Sequence, residues 1–60
     1  MNAVLREERK RQRKTQQQMA DLAGISLKSY QRIEKGVQDP SVSVAKLIAK
    51  SLKSTVEGLF

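Results

Sequence analysis

The chain has 60 residues with no Cys and no His, and it carries 12 Lys and Arg against 6 Asp and Glu, a net charge of +6. That length holds one domain, residues 1–60, which buries only about 60% of the surface its unfolded chain exposes, so marginal stability is expected. The composition excludes a disulfide, a thiolate zinc site, a thiol nucleophile and an imidazole base, so neither metal nor cofactor is expected, and no apolar run approaches the roughly 18 residues of a membrane span.

Turn residues and hydrophobic spacing divide the chain into about five helices, with no alternating β-branched segment to suggest strands. The first runs from Asn2 or Ala3 to about Arg13, with Asn2 as N-cap and Val4, Leu5 and the stem of Arg9 as a narrow inner face. Thr15 caps a second helix, about Gln16 to Ala23, and Gln18 completes a capping box. Its apolar stripe is Met19, Leu22 and Ala23. Gly24 fits the left-handed position that follows a helix. Ser26 caps a third helix, about Leu27 to Lys35, with Tyr30 and Ile33 inside and Gly36 at its end. Pro40 blocks continuation, and Ser41 or Asp39 caps a fourth helix, about Val42 to Leu52. There Val42, Ala45, Ile48, Ala49 and Leu52 recur at spacings of three and four. A short fifth helix, about Thr55 to Leu59, brings Val56, Leu59 and Phe60 back toward the core.

Gln16 to Ile33 therefore reads as two helices joined by a tight turn at Gly24. Met19, Ala20, Ala23, Ile25, Tyr30 and Ile33 face inward, while Lys28 and Arg32 point away. Two helices packed across a glycine turn, with a basic outer face on the second, are what a helix-turn-helix needs to enter a DNA major groove. The series Thr15-Gln16, Met19-Ala20, Gly24-Ile25-Ser26, Ile33-Glu34, Gly36, Pro40-Ser41 and Ile48-Ala49 with Leu52 goes further. In order and spacing, without a gap, it resembles the phage repressor/Cro-type helix-turn-helix domains, over nearly the whole chain. No single element of the series is diagnostic; the series is. The resemblance implies an all-α, compact five-helix domain of the lambda repressor-like kind. Ala20 falls where the two helices of the motif would cross, where a larger side chain would push them apart. Five positions depart from the pattern, among them Ser54, which stands where an apolar residue is common. Gln12 and Lys14 are polar where apolar residues are common, Tyr30 replaces Ile or Val, and Lys53 stands where Gly often ends the fourth helix.

The resemblance also implies that the third helix reads base edges. Carried over by position, the reading residues are Leu27, Lys28 and Arg32, with Ser29 and Gln31 secondary. Arg32 suits a bidentate bond to guanine O6 and N7, as does Lys28 less rigidly, whereas Leu27 offers only contact with a thymine methyl. The alternative for Lys28 and Arg32 is a solvated helix face. Gln16 opens the second helix, whose electropositive N-terminus suits a phosphate, and family members use that position so. Thr15 and Ser26 are further phosphate candidates, although capping alone explains both; Lys35, Ser41 and Ser43 are weaker ones. In similar proteins an Arg at the place of Arg9 pairs with a Glu at the place of Glu34, which would tie the first helix to the third and aim Arg9 at a phosphate. Gly24, Ala20, Ile33 and Glu34 are the expected structural positions. Val56, Leu59 and Phe60 are core or dimer contacts, the latter because relatives dimerise through this helix.

Six of the twelve positive residues lie between Arg6 and Lys14, and such clustering favours polyanions. The expectation is a cytoplasmic, sequence-specific regulator of transcription, a repressor or Cro-like switch protein of phage, mobile-element or bacterial origin. It would occupy a pseudo-palindromic site on double-stranded DNA as a homodimer, with no membrane or small-molecule partner. The rival is a protein-interaction module of the same fold that binds another regulator. An enzyme is not expected, because six carboxylates spread over different elements form no nucleophile–base constellation. One Tyr and one Phe give no stacking platform for RNA.

Overall fold

A computed structural model describes residues 2–60. Five helices follow in order: α1 (Ala3–Arg11), α2 (Gln16–Ala23), α3 (Leu27–Lys35), α4 (Val42–Ser51) and α5 (Val56–Leu59), with no strand among the described residues. Each begins at a polar side chain that accepts a bond from an otherwise unpaired backbone N–H of the first turn: Asn2, Thr15, Ser26, Ser41 and Thr55. Thr15 and Gln18 form the full reciprocal capping box.

Helices α1 to α4 all end in the same way. The amide two or three residues past the helix end reaches back to a carbonyl five residues earlier: Lys14 to Arg9, Ile25 to Ala20, Val37 to Arg32 and Ser54 to Ala49. This geometry requires a left-handed residue. Gly24 (φ 69°) and Gly36 (φ 79°) supply it after α2 and α3, but Arg13 (φ 57°) and Lys53 (φ 53°) supply it after α1 and α4. The Lys at the family's glycine position thus does not move the end of α4; it adopts the glycine's conformation. The same turn at Arg13 ends α1 at Arg11, two residues before the expected end.

Helix α2 packs on both α3 and α4, α5 folds back on α4, and α1 leans on α3. The core is Leu5, Met19, Ala20, Ala23, Tyr30, Ile33, Ile48, Ala49, Leu52 and Leu59, with Ile25, Val44 and Val56 packed at its edge. Ala20 is fully buried in the helix that contacts both α3 and α4, where no larger side chain fits without separating them.

Four residues expected inside are exposed: Val4, Leu22, Val42 and Phe60. Helix α1 is buried only along the row Leu5–Arg9, one turn apart, so the neighbouring Val4 faces outward. The buried residues of α2 are Met19, Ala20 and Ala23, a stripe that turns Leu22 to solvent. In the first turn of α4, Val44 and Ala45 face the protein and Val42 faces solvent. At the end of the chain, Leu59 belongs to the core, whereas Phe60 is 42% exposed. Of the two roles expected for Leu59, the structure shows the core one.

Polar side chains close the gaps that apolar residues leave. Gln12 donates from Nε2 to the Leu52 carbonyl (2.8 Å) and to Glu8 (3.0 Å), fastening the end of α1 to the end of α4. Asn2 caps α1 through Oδ1, donates from Nδ2 to the Leu59 carbonyl and gives its backbone N–H to the Glu34 carbonyl. One residue thus joins α1, α3 and the chain end.

Candidate nucleic-acid interface

Helix α3 is set by its two ends. Ser26 Oγ accepts from the Ser29 amide at 3.1 Å, and Gly36 closes the C-terminus. Tyr30, Ile33 and Glu34 point into the protein. The opposite face presents Lys28, Arg32 and Lys35, all exposed and spaced four and three residues apart. None of the three forms an ion pair with a described residue, so their N–H donors are free for an external acceptor. Leu27, Ser29 and Gln31 lie half-buried along the margins of this face. Arg32 presents a rigid planar fork and Lys28 a mobile point charge, which suits the first to a paired acceptor edge and the second to a phosphate or a single acceptor.

The N-terminus of α2 flanks α3. Gln31 Nε2 donates to Gln16 Oε1 at 3.2 Å, so the first residue of α2 is held beside the exposed basic face of α3. Thr15 and Ser26 use their hydroxyl oxygens as caps; each retains its O–H proton to donate. Ser41 caps α4 and lies 3.2 Å from Ser43, Oγ to Oγ, with both residues exposed.

Beneath the face lies the pair that the resemblance implied. Arg9 Nε donates to Glu34 Oε2 at 3.0 Å and Arg9 Nη2 to Oε1 at 2.9 Å, a bidentate ion pair. Arg9 Nη1 donates to the Lys14 carbonyl at 2.8 Å, so the backbone after α1 also holds the guanidinium in place. The pair is nearly enclosed, with Arg9 8% and Glu34 4% exposed. Burial pushes the Glu34 carboxyl up, but the bonds from Arg9 outweigh it and hold Glu34 below its ordinary value; the bond to Glu34 holds Arg9 above its own. Arg9 is turned inward with its charge neutralised, so its first task is to join α1 to α3.

Tyr30 lies fully buried beside this pair, its hydroxyl close enough to Glu34 and Arg9 to couple to both, without a hydrogen bond of full geometry to either. Burial, first, and the neighbouring carboxylate hold that hydroxyl protonated well above its ordinary range.

Sequence reasoning missed three of these links: Gln12 to Leu52, Gln16 to Gln31, and Asn2 to Leu59. Each joins residues distant along the chain, and only the folded arrangement shows them. No helix among the described residues is long and apolar enough to cross a membrane.

A family model described as helix-turn-helix matches residues 5–59. No curated protein and no solved structure matches the chain significantly. The family match runs almost from end to end over a five-helix fold whose second and third helices form the motif. The chain belongs to the phage repressor/Cro-type helix-turn-helix family, a family of DNA-binding transcription regulators.

Proposed function

We propose that the protein binds a specific site on double-stranded DNA with α3 in the major groove, and that it represses transcription in the manner of a Cro-like switch protein, by occupying an operator in the cytoplasm of a bacterial host. One observation carries this reading: Lys28 and Arg32 stand unpaired on the face of a helix whose ends, inner side and flank are all fixed by bonds to the rest of the protein. A rigidly placed donor discriminates among base edges; a loose one finds any acceptor. In this arrangement Arg32 and Lys28 read bases, with Leu27, Ser29 and Gln31 shaping the margins. Gln16, Thr15, Ser26, Lys35, Ser41 and Ser43 hold the backbone on either side.

The size of the protein supports a homodimer on a pseudo-palindromic site. The Cα trace is 21 Å across, which covers about six base pairs at roughly 3.4 Å each. So short a word recurs far too often in a genome to define one site. Two copies reading half-sites about 34 Å apart double the word. Phe60 and the half-buried Val56 are the apolar surface available at the C-terminal helix.

The test is fluorescence anisotropy with the DNA flanking the protein's own gene and with a scrambled control, for the wild type and Arg32→Ala. The expected result is preference for the native sequence, with Arg32→Ala losing about 1–3 kcal/mol there and little on scrambled DNA. Equal binding to both DNAs would leave charge alone. No binding at low salt would favour a protein-interaction module.

A further inference from the structure

Cations also gather at the joined ends of α1 and α4. Gln12 donates to the Leu52 carbonyl at 2.8 Å, so the turns that follow these two helices meet. Each turn holds a non-glycine residue in the left-handed conformation, Arg13 at φ 57° and Lys53 at φ 53°. Glycine adopts this conformation without strain, yet both positions carry an exposed cation, and such backbone outliers gather at functional sites. The helix dipoles do not call for them: Lys10 and Arg11 already close α1, and Lys50 closes α4. Lys46 and Lys50 extend the cluster along the exposed side of α4, one turn or about 6 Å apart. The Lys53 amide bonds back to the Lys50 carbonyl at 3.1 Å. None of Arg13, Lys46, Lys50 and Lys53 forms an ion pair with a described residue. Residues 40–56 contain no Asp or Glu, whereas each of the other helices carries at least one. A face exposed for solubility mixes both signs, as α1 does; a row of one sign repels itself until an anion covers it.

The row is also set apart from α3. Helix α2 packs on both α3 and α4, and the row lies on the side of α4 away from its buried Ala45, Ile48 and Ala49. A helix is about 10 Å thick, roughly one Debye length at 0.1 M salt, so these charges add little to a duplex read by α3.

We propose that Arg13, Lys46, Lys50 and Lys53 hold the phosphate backbone of a second DNA duplex while α3 occupies the first, so that the protein bridges two DNA segments. The proposal rests on α3 being the DNA-reading helix. Lys is a point charge that engages phosphate without a planar edge to match, and the hydroxyls of Ser54 and Thr55, which follow Lys53, are further donors to a backbone. A protein partner would instead need an apolar anchor at the centre of its interface. The exposed apolar residues of α4, Val42 and Leu47, stand about 140° apart around the helix and form no patch. Nothing in the row reads base edges, so the second duplex is taken whatever its sequence.

The experiment is energy transfer between two fluorescently labelled duplexes. Protein is first saturated with the native-site duplex, and the scrambled duplex is then added at about 50 mM salt. Wild type is expected to bring the two together, and Lys46→Gln/Lys50→Gln/Lys53→Gln to abolish the transfer while keeping the wild-type affinity and salt slope on the native site. Circular dichroism checks that the variant is folded, and the charge-conserving Lys46→Arg/Lys50→Arg/Lys53→Arg retains the transfer. Four phosphate contacts at about 0.9 each make the second-duplex affinity fall roughly 150-fold between about 50 and 200 mM salt. Transfer that persists in the Gln variant would overturn the row and assign bridging to α3 of a second copy. A shallower slope of that variant on the native site alone would place the row on the first duplex and equally overturn the bridge. So would a wild type that holds its native site without transfer; NMR shifts of the four residues on adding polyglutamate would then assign the row to an acidic protein. A wild type that binds no native-site DNA would overturn the reading of α3 itself, and the bridge with it.

Discussion

Replacing Glu34 by Ala strands a guanidinium. Arg9 is 8% exposed and loses two of its three bonds, those of Nε at 3.0 Å and Nη2 at 2.9 Å, keeping only the Lys14 carbonyl at 2.8 Å. Breaking a buried pair from one side costs about 3–5 kcal/mol, because a charge is left desolvated and unpaired. Here the pair lines an open cavity, so water reaches the freed group and the low end, about 3 kcal/mol, applies. A domain of this size holds roughly 3–9 kcal/mol in total, at about 0.05–0.15 per residue. Glu34→Ala is therefore expected to lower Tm by about 12–24 °C, at roughly 4–8 °C per kcal/mol, or to leave the chain largely unfolded. Thermal and urea melts without DNA measure it. Arg9→Met/Glu34→Leu removes both charges and is expected to recover most of the loss, since apolar residues of similar volume replace buried pairs at little cost. A Glu34→Ala variant within about 0.5 kcal/mol of wild type would refute the reasoning, since that is the range of ordinary surface substitutions. So would a double variant no more stable than the single one.

The same pair gives the domain an acid limb. Folded Glu34 lies below its ordinary value of 4.5, so the unfolded chain takes up the proton at higher pH than the folded one. Its stabilisation is complete above that ordinary value and is lost as pH falls through the folded value. Urea melts between about pH 3 and 7 should show a steeper acid loss in wild type than in Glu34→Gln; the half-buried Glu8, also lowered by its bonds from Arg11 and Gln12, contributes to both. Tyr30→Phe removes a buried hydroxyl that sits against Glu34 and Arg9 without full hydrogen-bond geometry, so stability is expected to stay within about 1 kcal/mol of wild type, and a larger loss in the melts would mean that the hydroxyl is bonded to the pair. Because burial keeps the folded hydroxyl protonated above its ordinary 10.0, wild type also loses stability as pH rises beyond that value, and the Phe variant escapes this loss. At the helix ends, a Cβ on Gly24 would meet nothing within 4 Å, so Gly24→Ala costs only the left-handed strain, about 1–2 kcal/mol. Lys53→Gly relieves that strain at φ 53° and is expected to gain about 0.5–1 kcal/mol after the added chain entropy; a loss on either melt would contradict the assigned turn.

The helices were legible in the chain because their signals are local. A cap lies within three residues of the amide it binds, as Thr15 does of Gln18, and a left-handed turn needs Gly24 or Gly36 where the periodicity stops. The basic face of α3 was legible for the same reason: Lys28, Arg32 and Lys35 are neighbours through the helical repeat alone. The pair of Arg9 with Glu34 lies 25 residues apart, and only the resemblance to a known pattern brought it into view. Inside and outside were misread at Val4, Leu22, Val42 and Phe60, because local spacing finds a stripe but not which of its members a neighbouring helix covers.

By itself, then, the sequence determined five capped helices, a basic outer face on α3 and a charge balance suited to a polyanion. These follow from interactions that span at most a turn or two. Tertiary structure alone decided which apolar residues are covered, that the Lys14 carbonyl holds the Arg9 guanidinium, that Lys53 adopts a glycine's conformation, and that Gln12 joins the end of α1 to the end of α4. Those outcomes depend on the angles and offsets at which helices pack, and packing is set by the summed fit of many side chains rather than by any one of them.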